Sequence, residues 1–187
     1  MTESKIIYSL RKENLNNYSK TSVPSRLLLG PGPSNAHPEV LKALSLNPIG
    51  HLDDAYLELM SDVQELLRYV WQCNNRVSLP MSGTGSAAME ASIANFIEEE
   101  ETILIAKKGY FGDRLVDMAT RYKANVVVIE KEWGEAFSLD EIKFEIEKNK
   151  PSIFAIVHAE TSTGVLQPLD GIGEICRKNN CLFLVDA

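Results

Sequence analysis

Ile153-Phe154-Ala155-Ile156-Val157-His158 and Leu182-Phe183-Leu184-Val185 decide the fold, because of what lies between them. Each run is short, apolar and unbroken, the pattern of a strand buried on both faces. Gly171–Asn179 separates them with helical character. A strand, a helix and a second strand in that order make a crossover between parallel neighbours. The same rhythm recurs toward the N-terminus. Val77–Met81, Thr102–Ala106 and Val126–Ile129 predict further strands, and Ser86–Ile97, Asp113–Tyr122 and Leu139–Lys148 further helices. Five strands joined by four helices predict an α/β fold, a mostly parallel sheet with helices on both faces.

Upstream of this alternation lies a long helix, predicted over residues 54–72. Tyr56, Leu59, Met60, Val63, Leu66, Leu67 and Val70 recur at steps of three and four, which predicts one apolar stripe. Pro38-Glu39-Val40 starts a shorter helix, with proline in its first turn. Before it, Leu27-Leu28-Leu29 calls for burial, while Gly30-Pro31-Gly32-Pro33 forbids helix and strand. A stiff, extended loop pinned at one end is expected. Residues 1–25 are polar and weakly patterned and read as an N-terminal arm, with one domain over residues 26–187.

The 187 residues suffice for one sizeable core. A net charge of -7 argues against nucleic-acid binding, which uses a basic excess. Cys73, Cys176 and Cys181 are too few and scattered for a disulfide framework, so they read as free thiols of a reducing compartment. No apolar run approaches the ~18–20 residues that cross a bilayer, and Met1–Lys5 begins no signal peptide. A cytoplasmic protein with no membrane partner and no metal site is expected.

Ligands of an open parallel sheet bind beyond the carboxyl ends of its strands. Val77–Met81 is followed by Ser82-Gly83-Thr84-Gly85-Ser86, which runs directly into a helix. Small residues admit an anion to the backbone N–H groups, and the helix dipole favours it. The string matches neither the nucleotide-triphosphate nor the dinucleotide glycine motif. As a bare motif, a glycine-rich connector with a serine cap explains it equally well. Thr102–Ala106 leads to Gly109-Tyr110-Phe111-Gly112, whose aromatics offer a flat face to a ring or an anchor to the core. Ile153–His158 leads to the hydroxyl-rich Ala159-Glu160-Thr161-Ser162-Thr163-Gly164, a polar turn or a set of hydrogen-bonding groups for a ring substituent. Leu182–Val185 leads to Asp186, a carboxylate at the end of an apolar strand that needs a cationic or donor partner. A protonated pyridine nitrogen, a metal ion or a helix end would serve.

Together these segments resemble the class-V, fold-type-I pyridoxal-phosphate aminotransferases, in their alanine–glyoxylate and serine–pyruvate branch. The likeness runs from Leu27 to Ala187 and is carried by Leu29-Gly30-Pro31-Gly32-Pro33-Ser34, Ser82–Ser86, Gly109–Arg114, His158–Leu169 and Leu184-Val185-Asp186-Ala187. It implies pyridoxal 5'-phosphate as cofactor and an amino acid and a 2-oxo acid as substrates. By the same resemblance Thr84, Gly85 and Ser86 hold the phosphate, Phe111 stacks on the ring and Thr161 bonds the ring oxygen. Asp186 then keeps the pyridine nitrogen protonated, and Gly30, Pro31 and Gly32 border the substrate carboxylate. The family acts as a homodimer, and residues 1–25 would reach across to the partner. One departure is Lys108, where the family's pattern leads one to expect a polar amide. The family's Schiff-base lysine and its carboxylate-binding arginine would both lie beyond residue 187. The resemblance therefore implies the N-terminal part of the large domain, inactive alone. The alternatives are a non-catalytic phosphate-binding module that needs a complementing half, and another fold-type-I enzyme such as a lyase or cysteine desulfurase. Against the desulfurase, His158-Ala159-Glu160-Thr161 stands where a histidine–asparagine pattern would be sought.

Overall fold

The computed structural model describes residues 24–187. Most of the expected arm, residues 1–23, lies outside the described residues. The chain divides into two compact units, Met1–Pro48 and Ile49–Ala187.

In the first unit, Asn35 pins the loop that carries Gly30, Pro31 and Gly32. The Leu28 N–H donates to its Oδ1 at 2.8 Å, and its Nδ2 donates to the Arg26 carbonyl at 2.9 Å. The loop is irregular, as expected, but its leucines are not buried: Leu27 and Leu29 are 79% and 86% exposed. Nothing among the described residues covers them. Helix α1, Pro38–Leu44, follows, with His37 as its N-cap.

The second unit begins with α2, Asp54–Trp71, capped by Asp53, whose side chain accepts from the Ala55 N–H. The apolar stripe is only partly covered. Tyr56, Met60, Val63 and Leu67 are half-buried, while Leu59, Leu66 and Val70 are exposed. Val77–Met81 is not a strand. A strand needs a ladder on at least one side, none of the described residues supplies one, and Pro80 lacks an N–H to give.

The remaining elements are α3 (Gly85–Phe96), β1 (Thr102–Lys107), α4 (Tyr110–Arg121), β2 (Asn125–Glu130), α5 (Leu139–Asn149), β3 (Ile153–Val157), β4 (Ala159–Glu160), β5 (Val165–Leu166), α6 (Ile172–Lys178) and β6 (Leu182–Asp186). Four strands form a parallel sheet in the order β2-β1-β3-β6. The fifth expected strand is thus absent, and β4 and β5 instead pair antiparallel within the hydroxyl-rich segment.

The sheet separates two cores. Ile103, Ile105, Ile153 and Ala155 point to one face, where Met89 and Ile93 of α3 and Leu115 and Ala119 of α4 cover them. Leu104, Ala106, Phe154 and Ile156 point to the other, beneath Ile142 and Ile146 of α5 and Ile172 and Cys176 of α6. Helices lie on both faces, as the alternation predicts. β3 is buried throughout and β1 between its two end residues, and each large apolar side chain there contributes about 1.5–3 kcal/mol.

Connections from β1 step outward to β2, and then return past β1 to β3 and β6. The strand order reverses between β1 and β3. That reversal leaves a crevice at their carboxyl ends, which is where ligands bind in open α/β sheets.

Candidate functional site

The segments after β1 and β3 meet in this crevice. Tyr110 and Phe111 do not form a loop there; they open α4. The first-turn N–H groups of a helix have no intrahelical acceptor. Here they are met from the β3 side. Glu160 is 1% exposed, and its carboxylate accepts from the Phe111 and Gly112 N–H groups, each at 3.3 Å. Ser162 Oγ accepts from the Tyr110 N–H at 3.0 Å and donates to Glu160 at 2.5 Å. The hydroxyl-rich segment is therefore the cap of the aromatic helix. Gly109 is required by this approach, since a Cβ there would lie 2.5 Å from the Glu160 side chain.

Lys108 sits beside Glu160 and is 1% exposed, with no hydrogen-bond partner for its Nζ among the described residues. Burial pushes its pKa down, against the opposing pull of Glu160. Lys107 is engaged elsewhere, 3.0 Å from Asp113 and 2.9 Å from Glu130.

A cavity of about 290 Å³ opens above this arrangement, lined by Gly85, Ser86, Met89, Phe111, Arg114, Ala159, Thr161, Asp186 and Ala187. Five of the expected cofactor residues converge in it: Gly85, Ser86, Phe111, Thr161 and Asp186. Thr84 directly precedes them as the N-cap of α3, and its side chain makes no capping bond. The first turn of α3 carries no acidic residue, so nothing within the helix neutralises its positive end. Gly30, Pro31 and Gly32 belong to the first unit.

Asp186 closes β6, opposite Val157 in the ladder. Its carbonyl accepts from the His158 N–H at 2.8 Å, which ties the strand end to the β4–β5 hairpin. Burial is the main cause of a raised Asp186 pKa; Glu160 adds to it and Arg114 opposes it. A cation arriving in the cavity would favour the ionised form.

Three residues of this site had no role in the sequence reading. Glu160 stands in the hydroxyl-rich segment and Lys108 is the departure from the family pattern, but their burial is set by the long-range approach of the β3 and β1 ends. Arg114 was detectable. Once α4 starts at Tyr110, Arg114 lies one turn on, at the spacing that faces Tyr110 and Phe111. Its guanidinium is 5.1 Å from the Tyr110 ring centroid and 5.0 Å from that of Phe111. Its Nη1 donates to Ser86 Oγ.

The sequence profile of the class-V aminotransferases matches residues 27–187. The chain belongs to the class-V aminotransferase family. Members of this family work with pyridoxal phosphate, and a pocket with a helix N-terminus, a flat aromatic and a half-buried carboxylate fits that group. Among class-V relatives, the mouse alanine–glyoxylate aminotransferase is 43% identical over 89% of this chain and 40% of its own length. The (S)-ureidoglycine–glyoxylate transaminase of Bacillus subtilis is 44% identical over 88% of this chain and 39% of its own length. The crystal structure of the Nostoc alanine–glyoxylate aminotransferase superposes with a TM-score of 0.87 at 56% identity, covering 92% of this chain and 46% of that one. The chain thus spans about 40% of the length of the curated relatives it matches.

Proposed function

We propose that this chain forms the cofactor-binding portion of a pyridoxal-phosphate transaminase. In this reading an amino group passes from an alanine- or serine-type donor to glyoxylate or pyruvate. The convergence of Gly85, Ser86, Phe111, Thr161 and Asp186 on one cavity carries the reading. Bound pyridoxal phosphate supplies an electron sink for breaking bonds at an amino-acid α-carbon. The chain's residues place and tune it. Thr84, Gly85 and Ser86 hold the phosphate at the start of α3, where N–H groups and the helix dipole favour an anion. Phe111 covers a ring face, and Thr161 offers its hydroxyl to the ring oxygen. Asp186 holds the proton on the pyridine nitrogen, and Arg114 opposes the burial that raises the carboxyl's pKa. Gly30, Pro31 and Gly32 border the substrate carboxylate.

The relatives' names support the acceptor: both the mouse and the Bacillus enzymes are named for glyoxylate. The reading also takes the working protein as a cytoplasmic homodimer. The exposed Leu59, Leu66, Val70 and Trp71 of α2 support a further apolar contact, and the three free thiols support a reducing compartment.

No lysine lines the cavity among the described residues. Titration of the purified chain with pyridoxal phosphate therefore gives saturable, non-covalent binding that inorganic phosphate competes away, and negligible turnover of alanine with glyoxylate. Absence of saturable binding, or a borohydride-stable adduct mapped to Lys107 or Lys108, would sink this reading.

A further inference from the structure

Arg114 touches several parts of the cavity at once. It donates to Ser86 Oγ, lies over Phe111 and lines the same space as Asp186. A guanidinium has five N–H donors, no acceptor and a permanent charge. A serine hydroxyl has one proton and two lone-pair sites. Arg114 takes up a lone pair and can never accept the proton. The Ser86 O–H is thereby turned away from Arg114, and Ser86 borders the cavity. The guanidinium itself is held by the two rings of Tyr110 and Phe111, which meet edge to face with centroids 5.7 Å apart. Cation–ring attraction fixes it before any ligand arrives.

We propose that Arg114 is a positioning residue: it presents the Ser86 hydroxyl proton to the phosphate of a ligand seated at the start of α3. The inference rests on reading the cavity as the pyridoxal-phosphate site. It adds a cation that acts through serine at the phosphate end and faces Asp186 at the ring end. The opposing effects of burial and Arg114 on the Asp186 carboxyl agree with that second role.

The probes are 4-deoxypyridoxine 5'-phosphate, 4-deoxypyridoxine and inorganic phosphate. The first two lack the aldehyde, so surface lysines cannot trap them. Equilibrium dialysis of the 187-residue chain measures the preference for the phosphorylated over the plain ring. Arg114→Gln lowers that preference about tenfold or more, the size of a lost charge-assisted contact. Ser86→Ala lowers it comparably, and the double variant falls no further than the worse single one. Arg114→Lys, still a donor-only cation, recovers part of the preference and carries the test if Arg114→Gln does not fold. The proposal is overturned if Arg114→Gln leaves the preference unchanged, if the two substitutions add independently, or if the unsubstituted chain shows no phosphate preference. Binding of the plain ring with no phosphate increment also overturns it, while leaving the ring site in place. Arg114-dependent binding of inorganic phosphate and of the phosphorylated ring, with the plain ring adding nothing, supports it and removes the cofactor reading.

Discussion

Replacing Glu160 with glutamine tests how the crevice is held together. The carboxylate accepts from the N–H groups of Phe111, Gly112 and Ser162 and from Ser162 Oγ. A glutamine brings one acceptor oxygen and turns an NH₂ group toward backbone donors. At least one first-turn N–H of α4 then loses its partner, which costs about 1–3 kcal/mol for a buried donor. The negative charge at the start of α4 is lost as well, up to about 2 kcal/mol in a partly buried geometry. The two effects overlap, so Glu160→Gln lowers stability by about 2–4 kcal/mol. Urea unfolding with an unchanged m-value reads this as a shift in midpoint. Faster exchange of the Phe111 and Gly112 amides localises it. Lys108 gives an internal control, because an ammonium buried beside a neutral glutamine is worse placed than one beside a carboxylate. Lys108→Met therefore stabilises the Glu160→Gln chain more than it stabilises the original. A midpoint shift worth less than about 0.5 kcal/mol, the range of ordinary surface substitutions, would refute the capping role.

In the unsubstituted chain, Lys108→Met removes a buried and unpartnered amine and stabilises by about 1–2 kcal/mol near pH 7. Because the native pKa is lowered, the penalty is full below that lowered value and fades as pH rises toward the ordinary lysine value of 10.5; the gain from Lys108→Met shrinks over the same window, as denaturation at several pH values will record. Gly109→Ala drives a Cβ into the Glu160 side chain and costs about 1–3 kcal/mol, read from thermal unfolding, whereas a neutral result would mean that the two segments separate freely. Asp186→Asn weakens binding of 4-deoxypyridoxine phosphate about tenfold at neutral pH and shifts the bound ring toward its unprotonated absorbance, since one pK unit is worth a factor of ten. Glu141, held at about 2 by Lys131 and then by Ser138, loses its contribution as pH falls from 4.5 through 2; Glu141→Gln flattens acid unfolding in that range.

The parallel sheet was readable because β1 and β3 are buried on both faces, and such strands have no choice but to be continuously apolar. Val77–Met81 carries a comparable apolar pattern and is not a strand. Apolar character records a demand for burial, while strand formation also needs a neighbour with free backbone groups. The start of α4 was placed three residues late for a related reason. Gly109, Tyr110 and Phe111 have weak helical preference on their own, and the acceptors that satisfy this helix start come from Glu160 and Ser162, about fifty residues on. Among the proposed cofactor residues, Phe111, Thr161 and Asp186 were legible together because they stand at or just beyond the carboxyl ends of β1, β3 and β6, which the sheet gathers in one place, while Thr84, Gly85 and Ser86 were legible from small residues at a helix start. Lys108 was not, since its burial depends on which segments the folded chain brings beside it, and Arg114 became readable only with a helix that starts at Tyr110.

The strand order also sets a schedule for synthesis. Ile103 pairs with Val126 on one side and with Ile153 on the other. The first partner emerges 23 residues later and the second 50 residues later. At ~5–20 residues per second, the β3 side of β1 stays unpaired for about 2.5–10 s after β1 has been made. During that interval Ile103-Leu104-Ile105-Ala106 can find partners only in α3, β2, α4 and α5 or in another nascent chain. Slowing translation between residues 107 and 153 will therefore raise the demand for chaperones, and speeding it there will raise the yield of folded protein.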